Sequence, residues 1–331
     1  MANHSRAGCR LMLMAGVALI ASTAPASDWH QQQRDLMGTR IAVELRHDDA
    51  ALAADCSNRV FDEMERINAV MSSYRDSSEL SRINRDAKTA TVEISAEMRH
   101  LVERSLHFSE VSGGAFDITY ASVGYRYDYR KREQPSADTI EKDLAAINYR
   151  HIRLEDDGIR FANAAVRIDL GGIAKGYAVD RAVDILEQCG IEQAMVSAGG
   201  DSRIIGDRSG RPWMIGIRHP RKDGAIALRL PLSDSAISTS GDYERFFIED
   251  GERIHHIINP STGKSADASW SASVTGPDAM TTDALSTTIF ILGARDGLAL
   301  IESLDGYDAI IIDSRGKVHY SSGFQDPATS N

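Results

Sequence analysis

The segment 166–180 constrains this chain more than any other stretch. Val166-Arg167-Ile168-Asp169-Leu170 alternates apolar and polar side chains, which predicts a strand that ends near a carboxylate. Gly171 and Gly172 follow. Lys175 then stands at the mouth of an amphipathic helix whose Ala178, Val179, Ala182, Val183 and Leu186 share one face. A glycine turn between strand and helix exposes backbone N–H groups and lets a bulky anion approach the chain. The pattern points to a phosphate or nucleotide site, with Asp169 and Lys175 as its first candidates. Each also has a plainer reading, Asp169 as a helix cap and Lys175 as a solvated cation.

Charge limits what such a site can be. The formal net charge is −11. Residues 1–26 read as a secretory signal peptide: Arg6 and Arg10 precede the apolar run 11–20, and Ala24-Pro25-Ala26 offers a small-residue cleavage pattern. The alternative is an uncleaved anchor, and no later apolar run is expected to cross a bilayer. The leader holds two arginines and no acid, so its removal gives −11 − 2 = −13. So acidic a chain is unsuited to nucleic acid. A phosphate site must then be local, built from N–H groups, a lysine or a metal. Cys56 and Cys189 remain after cleavage. Cys56 shares an apolar helix face with Leu52, Val60 and Met64, and Cys189 ends another helix. One disulfide is arithmetically possible, but two separate buried thiols are the expectation.

The remaining pattern predicts a strand over 39–46 and helices over 50–72, 78–85 and 95–111. Short strands follow over 152–154, 159–161 and 194–197, then a strand-rich stretch over 213–257. A helix over 279–292 and a buried strand over 309–312 come last. Residues 126–138 read as a polar surface excursion. No repeat, linker or compositional break divides the chain, so residues 27–325 are expected to form one two-lobed α+β domain. Its mixed or antiparallel sheets would be flanked by helices, with a disordered tail over 326–331. The helices are too few for a doubly wound parallel sheet.

Two further groups could carry chemistry. Asp283 and Thr287 are four apart on a helix, so their hard oxygens share a face and suit Mg²⁺; they could equally be the helix's polar first turns. His255 and His256 precede an Asn259-Pro260 turn and point to opposite sides of a strand, so one can face inward as a base or serve structure. The zinc-protease and serine-hydrolase signatures H-E-x-x-H and G-x-S-x-G do not occur.

Seven motifs occur in order. They are Met37-Gly38-Thr39, Gly114-Ala115-Phe116-Asp117, the run from Asp169 to Gly176, Ser197-Ala198-Gly199-Gly200-Asp201, the run from Ser238 to Tyr243, the run from His256 to Gly263, and the run from Asp283 to Thr287. Over roughly residues 36–293 this set resembles the ApbE family of FAD:protein FMN transferases. The resemblance implies an enzyme that uses Mg²⁺ to split the pyrophosphate of FAD. It joins FMN to a threonine or serine hydroxyl of a target flavoprotein, a subunit of a membrane redox complex or a related exported protein, and releases AMP. A periplasmic location is implied. By position, Met37, Tyr74, Ala115, Phe116, Asp117, Asp169, Lys175 and Ile258 match flavin-dinucleotide contacts. Gly172, through its carbonyl, Asp283 and Thr287 match metal ligands, and His256 matches the base. Ser286 replaces an acid that some members carry, and Asn259 replaces an aspartate. Two alternatives are a Mg²⁺-dependent FAD pyrophosphatase using the same site with water, and an FAD-binding protein without turnover.

Overall fold

Ile41, Val43 and Leu45 alternate along one strand and are fully buried. One face of that strand must therefore meet a second layer. In the computed structural model of the protein, which describes residues 28–324, that layer is helical. The leader over 1–26 and the tail over 326–331 lie outside the described residues.

The chain opens with the hairpin β1 (Trp29–Leu36) and β2 (Thr39–Arg46), then the helices α1 (Ala50–Met71), α2 (Glu79–Asp86) and α3 (Ala96–Val111). The short helices α4 (Ala121–Gly124) and α5 (Ala137–Leu144) lead to β3 (Ile152–Glu155), β4 (Gly158–Phe161) and α6 (Ala174–Gln188). Next come β5 (Ala194–Ala198), β6 (Asp201–Ile205), β7 (Trp213–Arg218), β8 (Ile226–Leu232) and β9 (Ala236–Gly241). Short hairpin strands follow: β10 (Phe246–Glu249), β11 (Glu252–His255), β12 (Ile258–Asn259) and β13 (Lys264–Ser265). The chain closes with β14 (Ser269–Gly276), α7 (Ala279–Glu302), β15 (Asp308–Asp313) and β16 (Val318–Tyr320).

Eight strands build the main sheet in the order β1-β2-β5-β6-β9-β14-β15-β16, and every neighbouring pair is antiparallel. Each strand of this sheet lies beside the next one along the chain, so it is a meander interrupted by excursions. α1 packs on β1 and β2, α6 on β5 and β6, and α7 on β9, β14 and β15. Their apolar stripes and the sheet's inner face make the main core. A second cluster of Val123, Tyr127, Ile140, Phe247, Ile254 and Ile258 forms the core of a smaller lobe. The α+β architecture is thus as expected.

Three expectations need correction. The segment 166–170 is extended and alternates as expected, with Val166, Ile168 and Leu170 buried, but it joins no sheet. Side chains replace the partner strand. Asn84 accepts from Ile168 N at 2.8 Å and donates to Ile168 O at 2.9 Å, and Ser122 Oγ accepts from Arg167 N at 3.0 Å. Cys56 and Cys189 are not separate thiols. α1 and α6 lie side by side, which brings their Cα atoms to 6.4 Å, and the two sulfurs are bonded. Last, α7 has the length and apolar character of a membrane span. It is nonetheless a core helix, with Thr281, Thr282, Asp283, Ser286 and Thr288 all buried. Its backbone departs from helical geometry at Gly293, next to the residue where the expected helix ends, and the helix then resumes to Glu302.

Candidate functional site

The site begins where α6 meets α7. Asp180 of α6 accepts from Ala279 N and Met280 N, both at 2.8 Å, and so docks the start of α7. Asp278 caps the same end through Thr281 N at 2.8 Å. The helices touch at Gly176, where a Cβ would overlap Ala279 O and lie 2.8 Å from Asp283 Cβ. Glycine alone permits this approach, and it lets Gly176 N donate to Asp283 Oδ2 at 3.0 Å.

Lys175 gathers the charges. Its Nζ lies 2.7 Å from Asp201 Oδ2 and 3.2 Å from Asp283 Oδ2, and it donates to Gly171 O at 3.2 Å. Asp201 and Asp283 are each 2% exposed. Asp201 Oδ2 accepts no aligned hydrogen bond, so the contact with Lys175 is an ion pair by distance alone. Burial would lower the lysine pKa, but the Asp201 and Asp283 charges outweigh it and hold the ammonium protonated. Burial and the Asp201 charge raise the Asp283 pKa, more than Lys175 and Gly176 N–H lower it. One ammonium stands against two buried carboxyl groups, and the raised pKa of Asp283 marks a carboxyl short of positive charge, a condition that a cation would relieve.

The donors beside it are hard oxygens. A Cβ on Gly172 would lie 3.6 Å from Thr287 Oγ1 and 3.3 Å from the Phe116 ring, so Gly172 borders Thr287 across a narrow gap. Thr287 Oγ1 pairs with Ser240 Oγ at 3.0 Å. Ser286 Oγ is spent on Ser240 Oγ at 2.9 Å and on Asp283 O at 2.9 Å. Among the described residues no three His, Cys, Asp or Glu side chains form a cage for a metal. The donor set instead fits Mg²⁺, which keeps few protein ligands and completes its shell with water and substrate phosphate.

A second group surrounds Asp169. Its Oδ1 accepts from Gly171 N at 2.8 Å and Tyr120 OH at 3.1 Å, and its Oδ2 accepts from Ser73 Oγ at 2.7 Å. The first glycine N–H is therefore turned to Asp169, not outward to an anion. Burial, then the Asp169 charge, pushes the Tyr120 phenol pKa well up, so it stays a donor. Tyr74 follows Ser73 and is 88% exposed, an aromatic face left open to stack on a flat ring. Met37 and Gly38 both have positive φ, 52° and 71°, as a tight hairpin turn between β1 and β2 requires. Arg245 donates to Gly38 O at 3.1 Å, and Arg245 O accepts from His256 N at 3.2 Å. One arginine thus ties the Met37 turn to the histidine.

The two histidines separate cleanly. His255 is 3% exposed, meets the Phe290 ring edge-on, pairs Nε2 with Ala266 O at 2.7 Å and accepts from Ile257 N at 3.3 Å. It is the structural histidine. His256 Nδ1 is buried and has no partner. Burial, followed by the charges of Arg245, His255 and Lys175, lowers the His256 pKa to about 3. The ring is held neutral, and its Nδ1 is not spent on a protein partner.

Other expected residues sit differently. Both Asp117 oxygens are engaged, Oδ1 by Thr119 N and Oγ1 at 2.8 and 2.6 Å, and Oδ2 by Tyr149 N at 2.7 Å. Its carboxylate holds the local turn, and burial outweighs these bonds to raise its pKa. Phe116 is buried edge-on to Phe108, beside half-buried Ala115. Ile258 is buried in the smaller core. Asn259 Oδ1 accepts from Ser261 N and Oγ at 3.0 and 2.8 Å. It shapes the turn, a task either an amide or a carboxylate oxygen performs. Sequence reasoning gave no role to Asp201, Ser240, Tyr120, Ser73 or Arg245. The first two lie inside motifs that carried a signal, whereas the other three follow only from the folded contacts.

The chain is similar to known proteins over most of its length. The ApbE family model matches residues 37–311. A FAD:protein FMN transferase from Treponema pallidum is 31% identical over 97% of this chain and 94% of its own length. One from Haemophilus influenzae is 33% identical over 87% of this chain and 88% of its own. Among solved structures, the ApbE protein of Thermotoga maritima superposes with a TM-score of 0.83 at 33% identity, covering 89% of this chain and 98% of that one. The flavin transferase ApbE of Vibrio cholerae gives 0.80 at 28% identity, over 90% of this chain and 99% of that one. The class is that of the flavin transferases. The chain belongs to the ApbE family.

Proposed function

We propose that this protein is a Mg²⁺-dependent FAD:protein FMN transferase that joins FMN through a phosphoester to a threonine or serine hydroxyl of a target protein and releases AMP. The observation that carries the reading is the buried Lys175–Asp201–Asp283 group beside Gly172 and Thr287, with the free nitrogen of His256 within range of the Lys175 charge. Asp283, Thr287 Oγ1 and the carbonyl of Gly172 would hold the cation. When bound, it supplies charge neutralisation to diphosphate oxygens. Lys175 adds a fixed positive charge to the same diphosphate. Tyr74 offers its exposed ring to an aromatic part of FAD, and Asp169 presents a carboxylate steadied by Ser73 and Tyr120 to a polar edge. The Met37 turn, Ala115, Phe116 and Ile258 would border the dinucleotide, while Asp117 acts by holding their loop.

In the reaction, the hydroxyl oxygen bonds to the FMN phosphorus and the bond from that phosphorus to the bridging oxygen breaks, so that AMP leaves with the bridging oxygen. His256 takes the hydroxyl proton. Its low pKa keeps it unprotonated, and an arriving anionic diphosphate would raise its proton affinity. We place the protein outside the cytoplasmic membrane, in the periplasm, acting on an exported subunit of a membrane redox complex. The leader motif and the Cys56–Cys189 bond, suited to an oxidising compartment, support that location. His256→Ala should retain FAD, measured by flavin fluorescence, and lose transfer about 100-fold or more. Transfer at the wild-type rate would remove His256 as the base.

A further inference from the structure

Asp201 is neither a cation ligand nor an FAD contact in the proposed site, yet it makes the shortest contact to Lys175, 2.7 Å. We propose that Asp201 is a positioning residue that receives Lys175 when a divalent cation occupies Asp283. This rests on the reading of Asp283 as a cation ligand.

Lys175 lies between two carboxylates, 2.7 Å from Asp201 Oδ2 and 3.2 and 3.4 Å from the two Asp283 oxygens. A cation on Asp283 would therefore meet the ammonium at close range, and like charges at such distances repel strongly when screened from water. The lysine must withdraw or lose its charge. Asp201 supplies the place to withdraw to. It is 2% exposed, and its Oδ2 has no hydrogen-bond donor aligned on it, so it can take the full share of the ammonium. Its backbone is fixed, because Asp201 opens β6 between Ala198 and Ser238. Gly200 beside it packs so closely on Thr239 O that a Cβ would not fit. A fixed acceptor moves Lys175 off Asp283 without removing it from the site, where its charge serves the diphosphate.

The role predicts a coupling that a general negative charge does not. Asp201→Asn weakens cation binding in either case, since a nearby carboxylate attracts any cation. If Asp201 acts through Lys175, most of that loss disappears in a Lys175→Met background, and Lys175→Met alone tightens cation binding. The test is Mn²⁺ binding to the FAD-free protein, followed by electron paramagnetic resonance, for wild type, Asp201→Asn, Lys175→Met and the double variant, with thermal melts to establish folding. We expect Asp201→Asn to weaken Mn²⁺ about tenfold in the wild-type background and less than about threefold in Lys175→Met. Equal losses in both backgrounds overturn the role of Asp201 and leave the cation site standing. Should the asparagine variant fail to fold, Lys175→Met still decides, because weaker Mn²⁺ binding in it overturns the proposal. Wild-type protein with no saturable Mn²⁺ binding that Asp283→Ala removes would overturn both this inference and the cation reading.

Discussion

His256 should make the fold sensitive to acid in a way that one substitution removes. Its imidazole titrates near 6.5 in an unfolded chain and about 3 in the folded protein, where burial comes first among the causes. Between those values the unfolded state binds one more proton than the folded state. The stability that the neutral, half-buried ring confers is therefore complete above pH 6.5 and is lost as pH falls toward 3. At pH 4 the loss amounts to ~3 kcal/mol, at about 1.4 kcal/mol per pH unit below 6.5. Other groups also respond to acid, so the quantity to measure is a difference. His256→Gln keeps the size and a polar edge but does not titrate. Urea unfolding of both proteins at pH 7 and pH 4 gives the stability gap between them at each pH. We expect the gap to shift by ~3 kcal/mol in favour of the variant as pH falls. A gap that is the same at both values would mean that His256 is neither buried nor depressed as described, and its neutral state in the site would lose its physical basis.

Three further outcomes follow from the same contacts. Asp283→Ala should lose cation-dependent transfer roughly 100-fold or more; a wild-type rate in limiting Mg²⁺ would refute the metal assignment. Gly176→Ala should lower stability by ~1–3 kcal/mol, because a Cβ overlaps Ala279 O and pushes α6 from α7; a thermal melt and FAD titration unchanged from wild type would contradict the close approach. Cys56→Ser should cost about 2–4 kcal/mol, since the bond closes a loop 133 residues long in sequence separation. Reductant should remove the same amount from the wild type and nothing from the variant, and equal urea midpoints for both proteins without reductant would speak against the bond.

Much of the site was visible in the sequence because its parts are short and local. The alternation of β2, the stripe of α6 and the spacing of Asp283 and Thr287 each use one element's own geometry, so pattern alone locates them. What escaped depends on contacts between distant segments. β1 carries Gln31-Gln32-Gln33 and lies at the sheet edge, paired only with β2, so burial imposes no apolar alternation on it. α5 is eight residues long with only Ile140 and Asp143 buried, too little to mark a helix by periodicity. The segment 166–170 has a strand's burial, but its N–H groups donate to the side chains of Asn84 and Ser122 and to Ile118 O, and no local pattern distinguishes such partners from a strand. The Cys56–Cys189 bond likewise depends on how α1 lies along α6. Asp201 follows two glycines in a recognisable motif, but only the fold brings its carboxylate to Lys175.

Transfer of FMN to a protein hydroxyl defines the proposed enzyme. Its most direct test is mass spectrometry of a threonine-bearing peptide from a flavinylated redox subunit after incubation with this protein, FAD and Mg²⁺, with AMP measured in the same sample. We expect an FMN-sized adduct on the threonine and one AMP for each adduct. AMP without an adduct would show hydrolysis in place of transfer, and neither product would show a flavin-binding protein without turnover; either result rules out the transferase.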